Sequence, residues 1–181
     1  MTRAPGSAAA HPAPASATAT SAFRGFAVGL HTTPRAMLPM RSVTSLELVA
    51  GHGVQEDRYS VDRGYLSKKL YDLNLREQRD VTFFEHESLT ALERDFGLKV
   101  SPEDHRRNVT TFGVPLNHLI GRRFRLGEAV LDGFFMGPCQ HLSDVVGQQI
   151  TQLLVNRGGL QAAIVRGGTV RLGDEIVLAD A

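Results

Sequence analysis

Gly159-Leu160-Gln161-Ala162-Ala163-Ile164-Val165-Arg166-Gly167-Gly168-Thr169-Val170-Arg171-Leu172-Gly173-Asp174-Glu175-Ile176-Val177-Leu178 is a run of β-branched and apolar residues cut by glycine turns. Leu160–Val165 and Thr169–Leu178 read as strands joined at Arg166-Gly167-Gly168, with a further tight turn at Gly173-Asp174. Upstream, Arg122, Phe124 and Leu126 alternate with Arg123 and Arg125. A turn at Leu126-Gly127-Glu128 then leads into a second strand, Ala129–Phe135. Further strands are predicted at Phe23–Leu30, Val43–Val49, Val81–Phe84 and Asn108–Phe112.

Two helices interrupt this succession. Leu89, Leu92 and Phe96 fall on one face of the first, and Gly97 follows as a C-terminal stop. Ser143-Asp144 predicts the start of the second, with Val146, Ile150, Leu153 and Leu154 as its buried stripe. Ser101-Pro102-Glu103-Asp104 predicts a short turn of helix. Many short strands with inserted rather than alternating helices specify a mainly β (α+β) chain forming a closed or partly closed β-barrel, not a doubly wound sheet.

Length and composition agree with one domain. The 181 residues carry 42% apolar and 22% charged side chains, enough for a packed core. Twenty Lys+Arg against 19 Asp+Glu give a formal charge of +1, so no broad field favours nucleic acid or an anionic membrane. No apolar run approaches the roughly 18 residues of a membrane span. A single cysteine excludes an intrachain disulfide framework and Cys-rich zinc or iron–sulfur sites. Residues 1–22 are nearly all Ala, Pro, Ser, Thr and Gly, read as a disordered tail without a secretory core, leaving 23–181 as the folded domain. The expected location is the cytoplasm.

The chemistry gathers at that cysteine. Cys139 lies in Phe134-Phe135-Met136-Gly137-Pro138-Cys139-Gln140-His141, directly after a strand, where Pro138 ends ladder pairing and Gly137 admits a close approach by backbone or ligand. Four readings are open: a packing residue, a soft-metal ligand, a persulfide carrier, or a nucleophile paired with His141. Arg106 and Asn108, in Asp104-His105-Arg106-Arg107-Asn108, offer a bidentate cation and an amide to an anion or a ring edge. Gln78 and Arg79 precede the strand Val81–Phe84, and Asp57 and Arg58 sit in the glycine-led loop Gly53–Tyr59. The remaining histidines His31, His52, His86, His105 and His118 show no metal-ligand spacing and are read as structural or exposed.

In order, Gly53-x3-Asp57-Arg58-Tyr59, Arg79-x-Val81-Thr82, Arg106-x-Asn108-Val109, Gly137-Pro138-Cys139 and Gly159…Gly173-Asp174 together resemble the MOSC domain, the module named for the C-terminal part of molybdenum cofactor sulfurase. The resemblance covers about 23–178. It implies a β-barrel with helical insertions and association with the molybdenum cofactor, a molybdopterin holding molybdenum through its dithiolene. By the same resemblance Cys139 ligates molybdenum, while Gln78, Arg79, Arg106, Asn108 and Gly137 lie at the cofactor and Asp57, Arg58 and His141 belong to a neighbouring loop. Family members often carry Gly where this chain has Glu56, which predicts a different turn there. No pyridoxal-phosphate desulfurase domain and no flavin, haem or iron–sulfur motif is seen, so this reads as a stand-alone bacterial-type member. Sulfur delivery as a Cys139 persulfide would need a cysteine desulfurase partner, and reduction of N-hydroxylated compounds an electron-donor partner. The alternative is a non-enzymatic cofactor chaperone or interaction barrel in which Cys139 only packs.

Overall fold

In the computed structural model the described residues are 23–75, 77–138, 140–147 and 149–179. The expected tail, 1–22, and Cys139 lie outside them. Seven strands close into a barrel: β1 (Gly25–Thr32), β5 (Val81–Glu85), β6 (Val109–Phe112), β7 (Arg123–Leu126), β8 (Ala129–Phe135), β9 (Leu160–Arg166) and β11 (Glu175–Leu178). Around the barrel the order is β11-β7-β8-β9-β5-β6-β1, and β1 closes on β11 through Gly25↔Ile176. β2 (Arg41–Val43) extends β1. A separate small sheet joins β3 (Ser45–Val49), β4 (Gly53–Val54) and β10 (Gly168–Arg171).

Alternation sets the inner face. Phe124 and Leu126 point inward from β7 while Arg123 and Arg125 face water, and β9 buries Leu160, Ala162 and Ile164 in the same way. These side chains meet Ala27, Val81, Phe83, Val109 and Leu131 in one continuous core. β5 is buried on both faces: Phe83 enters the barrel, whereas Phe84 packs outside it with Leu89 and Leu92 of the helix α2 (His86–Phe96) and with Leu142, Ile150 and Leu154. Gly97, at φ 67°, ends α2 as expected.

Two expectations change in detail. Ser101–Asp104 forms hydrogen-bonded turns rather than helix, because the Asp104 carboxylate accepts the Ser101 N–H and closes the chain locally. The second long helix begins earlier, as α3 (Gln140–Val146), and breaks before a 3-10 turn at Ile150–Gln152. Ser143 therefore sits inside α3, its Oγ buried without a hydrogen-bond partner, instead of capping it. The expected turn at Gly173-Asp174 separates β10 from β11. The sequence reading also missed a short helix, α1 (Ser67–Asp72). Among the described residues no helix is long and apolar enough to cross a membrane.

β5 and β6 are the one parallel pair in the barrel, with Phe83 opposite Val109. Parallel pairing sets the two incoming segments side by side: the 3-10 turn Glu77–Arg79 ahead of β5, and His105–Asn108 ahead of β6. The candidate site is built on this junction.

Candidate functional site

Arg106 has φ 62°, a left-handed turn that throws the side chains of Arg106 and Arg107 to separate anchors. The Arg106 guanidinium donates to the Leu38 carbonyl at 2.5 Å, and that of Arg107 donates to the Gly158 carbonyl at 3.1 Å. Gly158 is pressed against the Gly137–Pro138 backbone, so the arginine turn and the chain leading to position 139 share one support. Nothing larger than glycine fits at 158 without moving that backbone.

Asp57 organises the neighbouring loop. Its buried carboxylate accepts hydrogen bonds from the Thr32 hydroxyl, the Thr33 N–H, the Tyr59 N–H, the Asn108 amide and Arg58. Arg58 pairs with it at 3.0 Å and reaches on to the Arg106 carbonyl at 2.9 Å. Both partners of this ion pair are almost fully buried, at 5% and 2% side-chain exposure, so each requires the other. Glu56 adopts φ 61° just ahead of the pair, in the region that favours glycine, so the loop is turned at the residue where family members often have glycine.

The Tyr59 ring meets two cations, the Arg58 and Arg79 guanidinium carbons each standing 5.0 Å from its centre. Arg79 reaches Gln161 at 3.5 Å, and its Nε is buried with no hydrogen-bond partner. His141, on α3, completes the set. Burial lowers its pKa below the ordinary imidazole value, and the charges of Arg106 and Arg58 add to this against the opposing pull of Asp144.

These side chains line one groove. A cavity of about 50 Å³ is bounded by Ala36, Met37, Arg58, Tyr59, Arg79, Arg106, Arg107 and His141, among others. It adjoins one of about 200 Å³ that shares Met37, Arg106 and His141 and adds Met40, Glu103 and Asp104. A larger cavity of about 700 Å³ lies elsewhere, at Arg122, Arg123 and Asp132. There Asp132 already holds Arg123 through two hydrogen bonds, which leaves that site less to offer an anion.

The structure thus brings together Arg58, Arg79, Arg106 and His141 from the sequence reading. Asp57 stands directly behind Arg58. Asn108 does not line the groove: its Oδ1 accepts from the Thr82 N–H and hydroxyl, and its Nδ2 donates to the His31 carbonyl and to Asp57. Gln78 is half-buried next to Arg79, and Gly137 is half-buried against Gly158; neither lines the cavity. Cys139 falls outside the described residues, between Pro138 and Gln140, and His141 is its nearest groove-lining neighbour in sequence. Sequence reasoning passed over Arg107 and Tyr59 as site residues. The signal for both was adjacency: each directly follows an arginine that was chosen. Among the described residues no group of three or more His, Cys, Asp or Glu gathers to hold a metal ion.

Fold and groove together define a closed β-barrel protein with an arginine-lined pocket at the entry to its parallel strand pair. The sequence profile of the MOSC domain matches residues 70–177, more than half of the chain, and the protein belongs to the MOSC domain family. Solved structures agree in fold. The YuaD protein from Bacillus subtilis is 17% identical with a TM-score of 0.68, the match covering 88% of this chain and 98% of that one. YiiM from Geobacillus stearothermophilus is 12% identical with a TM-score of 0.66, covering 86% and 75%. YiiM from Escherichia coli is 20% identical with a TM-score of 0.57, covering 84% and 70%. No curated protein matches the chain.

Proposed function

We propose that this protein binds the molybdenum cofactor in the Arg58–Arg79–Arg106–Arg107 groove and uses Cys139 as the thiolate that meets the cofactor's metal or carries its sulfur. The observation that carries this reading is the convergence of four guanidinium groups from three chain segments on one groove, where the Arg79 Nε is buried without an acceptor. A buried guanidinium edge is stabilised by an incoming oxyanion, and the cofactor carries one in its phosphate. The donor set therefore fits the group that the family implies.

The roles divide by position. Arg79, Arg106 and Arg107 hold the phosphate side, and the Tyr59 ring steadies Arg58 and Arg79. Asp57 and Asn108 position Arg58 from behind rather than touch the ligand. Gly137 packs on Gly158 in the chain that leads to position 139, and Gln78 supports the turn that carries Arg79. When bound, the cofactor would supply a redox-active metal with transferable sulfur. His141, whose pKa burial lowers, is assigned as proton acceptor for the Cys139 thiol, and an arginine neighbour would favour the thiolate. Sulfur delivery with a separate desulfurase and reduction of N-hydroxylated compounds with a separate electron donor both use this arrangement.

The test is molybdenum per chain, by elemental mass spectrometry, on protein purified without oxygen from a cofactor-producing host. Wild type is expected to retain metal. Cys139→Ala and Arg79→Met are expected to lose most of it while staying folded. Folded wild-type protein without molybdenum would overturn the reading.

A further inference from the structure

Behind the arginine turn runs a chain of polar groups, buried at His105, Thr110 and His31 and reaching the surface at Ser42 and Glu103, that cofactor binding leaves unexplained. The Arg107 N–H donates to His105 Nδ1 at 3.0 Å, and His105 Nε2 lies 2.7 Å from the Thr110 hydroxyl. That hydroxyl is 3.0 Å from His31 Nε2, and His31 Nδ1 is 3.2 Å from the Ser42 hydroxyl. Ser42 in turn donates to the Glu103 carboxylate at 2.6 Å.

The two ends set the direction of the outer links. A backbone N–H can only donate, so His105 Nδ1 accepts and its Nε2 carries hydrogen. An ionised carboxylate can only accept, so Ser42 gives its one proton to Glu103 and must receive from His31 Nδ1–H. With His31 neutral, as its burial favours, Nε2 is an acceptor filled by the Thr110 hydroxyl, which itself accepts from His105. Each link then has one hydrogen, and both imidazoles are neutral. The fold makes room for this at Gly29, where a Cβ would stand 2.8 Å from His31 Nε2 and 3.0 Å from Thr110 Oγ1.

We infer that His105 and His31 are positioning residues: their neutral chain from Arg107 to Glu103 locks the left-handed Arg106 turn that presents Arg106 and Arg107 to the groove, and protonation in acid releases it. A proton on His105 Nδ1 would set N–H against the Arg107 N–H. A proton on His31 Nε2 would displace the Thr110 donor. Glu103 faces His31 through Ser42, and His105 meets it edge-on at 5.4 Å; His105 faces His31, the Arg107 charge and the stacked Phe84 ring at 4.9 Å. Burial holds both imidazole pKa values below the ordinary value, His105 more strongly, in keeping with the neutral chain.

The inference rests on the groove as an anion site, and its test separates the two. Inorganic sulfate is titrated from about pH 7.5 down to about pH 4, a range in which its own charge is constant while histidines held below their ordinary pKa still ionise. Direct electrostatics, with His141 gaining charge, would tighten sulfate as pH falls. Release of the turn weakens it instead, by about tenfold if one charge-assisted hydrogen bond is lost. Thr110→Val is expected to bind weakly at both ends of the range, and Thr110→Ser to restore wild-type behaviour. In parallel, imidazole nitrogen NMR is expected to show the Nε2–H tautomer for His105 and Nδ1–H for His31, with the Arg107 amide protected from exchange until acid pH. Binding that tightens toward acid and is unaffected by Thr110→Val overturns the inference, as does either opposite tautomer. If sulfate binds at no pH, the groove reading fails. The positioning role is then decided by the Arg107 amide alone: protection lost in acid and already low in Thr110→Val supports it, and unchanged protection refutes it. Ser42→Ala, at an exposed position, opens the same chain should Thr110→Val not fold.

Discussion

Asn108→Ala separates a buried brace from a ligand contact. The amide makes four side-chain hydrogen bonds, to the Thr82 N–H and hydroxyl, the His31 carbonyl and Asp57, at 2.8 to 3.3 Å, and the residue is 2% exposed. Truncation deprives buried backbone groups of Thr82 and His31 of partners. Each such group costs about 1–3 kcal/mol when orphaned, and relaxation recovers part, so a loss of about 2–4 kcal/mol is expected. For a chain of this size that lowers Tm by about 4–16 °C, at about 2–4 °C per kcal/mol. Urea denaturation should show a lower midpoint with an unchanged slope. Asn108→Asp should be at least as harmful near neutral pH, because it sets a second carboxylate against Asp57, and should recover in part in acid. A stability loss under about 1 kcal/mol, with anion or molybdenum binding abolished, would refute the brace and return Asn108 to the ligand.

Stability should fall on the acid side for a related reason. His31 and His105 both titrate below their ordinary 6.5 in the folded protein, so the unfolded chain takes up protons first as pH drops. Their contribution is complete above about pH 6.5 and is lost as pH falls toward the folded values, by up to about 1.4 kcal/mol per pH unit per group. Thermal melts between neutral and mildly acid pH should show this slope, and His31→Gln should flatten it; a wild-type Tm independent of pH would refute it. Glu56→Gly should stabilise the protein by about 0.5–1 kcal/mol, the relief of a left-handed non-glycine residue less the added entropy of the unfolded chain. A lower urea midpoint in that variant would show that the Glu56 side chain contributes more than its backbone strain removes.

Strands were the most legible part of the fold, because period-two alternation and glycine turns are local signals. β7, β8 and β9 lie within a few residues of where the pattern puts them. The helices were less so. Ser143 has the chemistry of a cap, yet α3 starts three residues earlier, set by where Leu142, Ile150 and Leu154 can reach Phe84 and α2. Of the site, arginines next to strand starts were visible as candidates, but Asn108's turn inward was not. That depends on Asp57 arriving from 51 residues away. The histidine chain was invisible for the same reason. Its links span 79, 11 and 61 residues, and strand register brings Gly29 opposite Thr110 and His31 opposite Ser42.

Gathering four guanidinium groups around one groove is unfavourable in itself, and the structure offsets it in three distinct ways. Arg58 is matched by a buried carboxylate that backbone and amide donors hold in place. Arg106 and Arg107 direct their guanidinium groups onto the Leu38 and Gly158 carbonyls, which fix their direction. Arg79 is steadied by the Tyr59 ring and keeps a buried Nε without an acceptor. A ligand without an acceptor would leave that edge unsatisfied, whereas a phosphate would complete it and match its charge. The neutral imidazoles behind the turn follow the same logic. A further positive charge at His105, next to Arg107, would add to the repulsion that the groove already carries. The residue therefore serves the site through its lone pair and its single N–H rather than through charge.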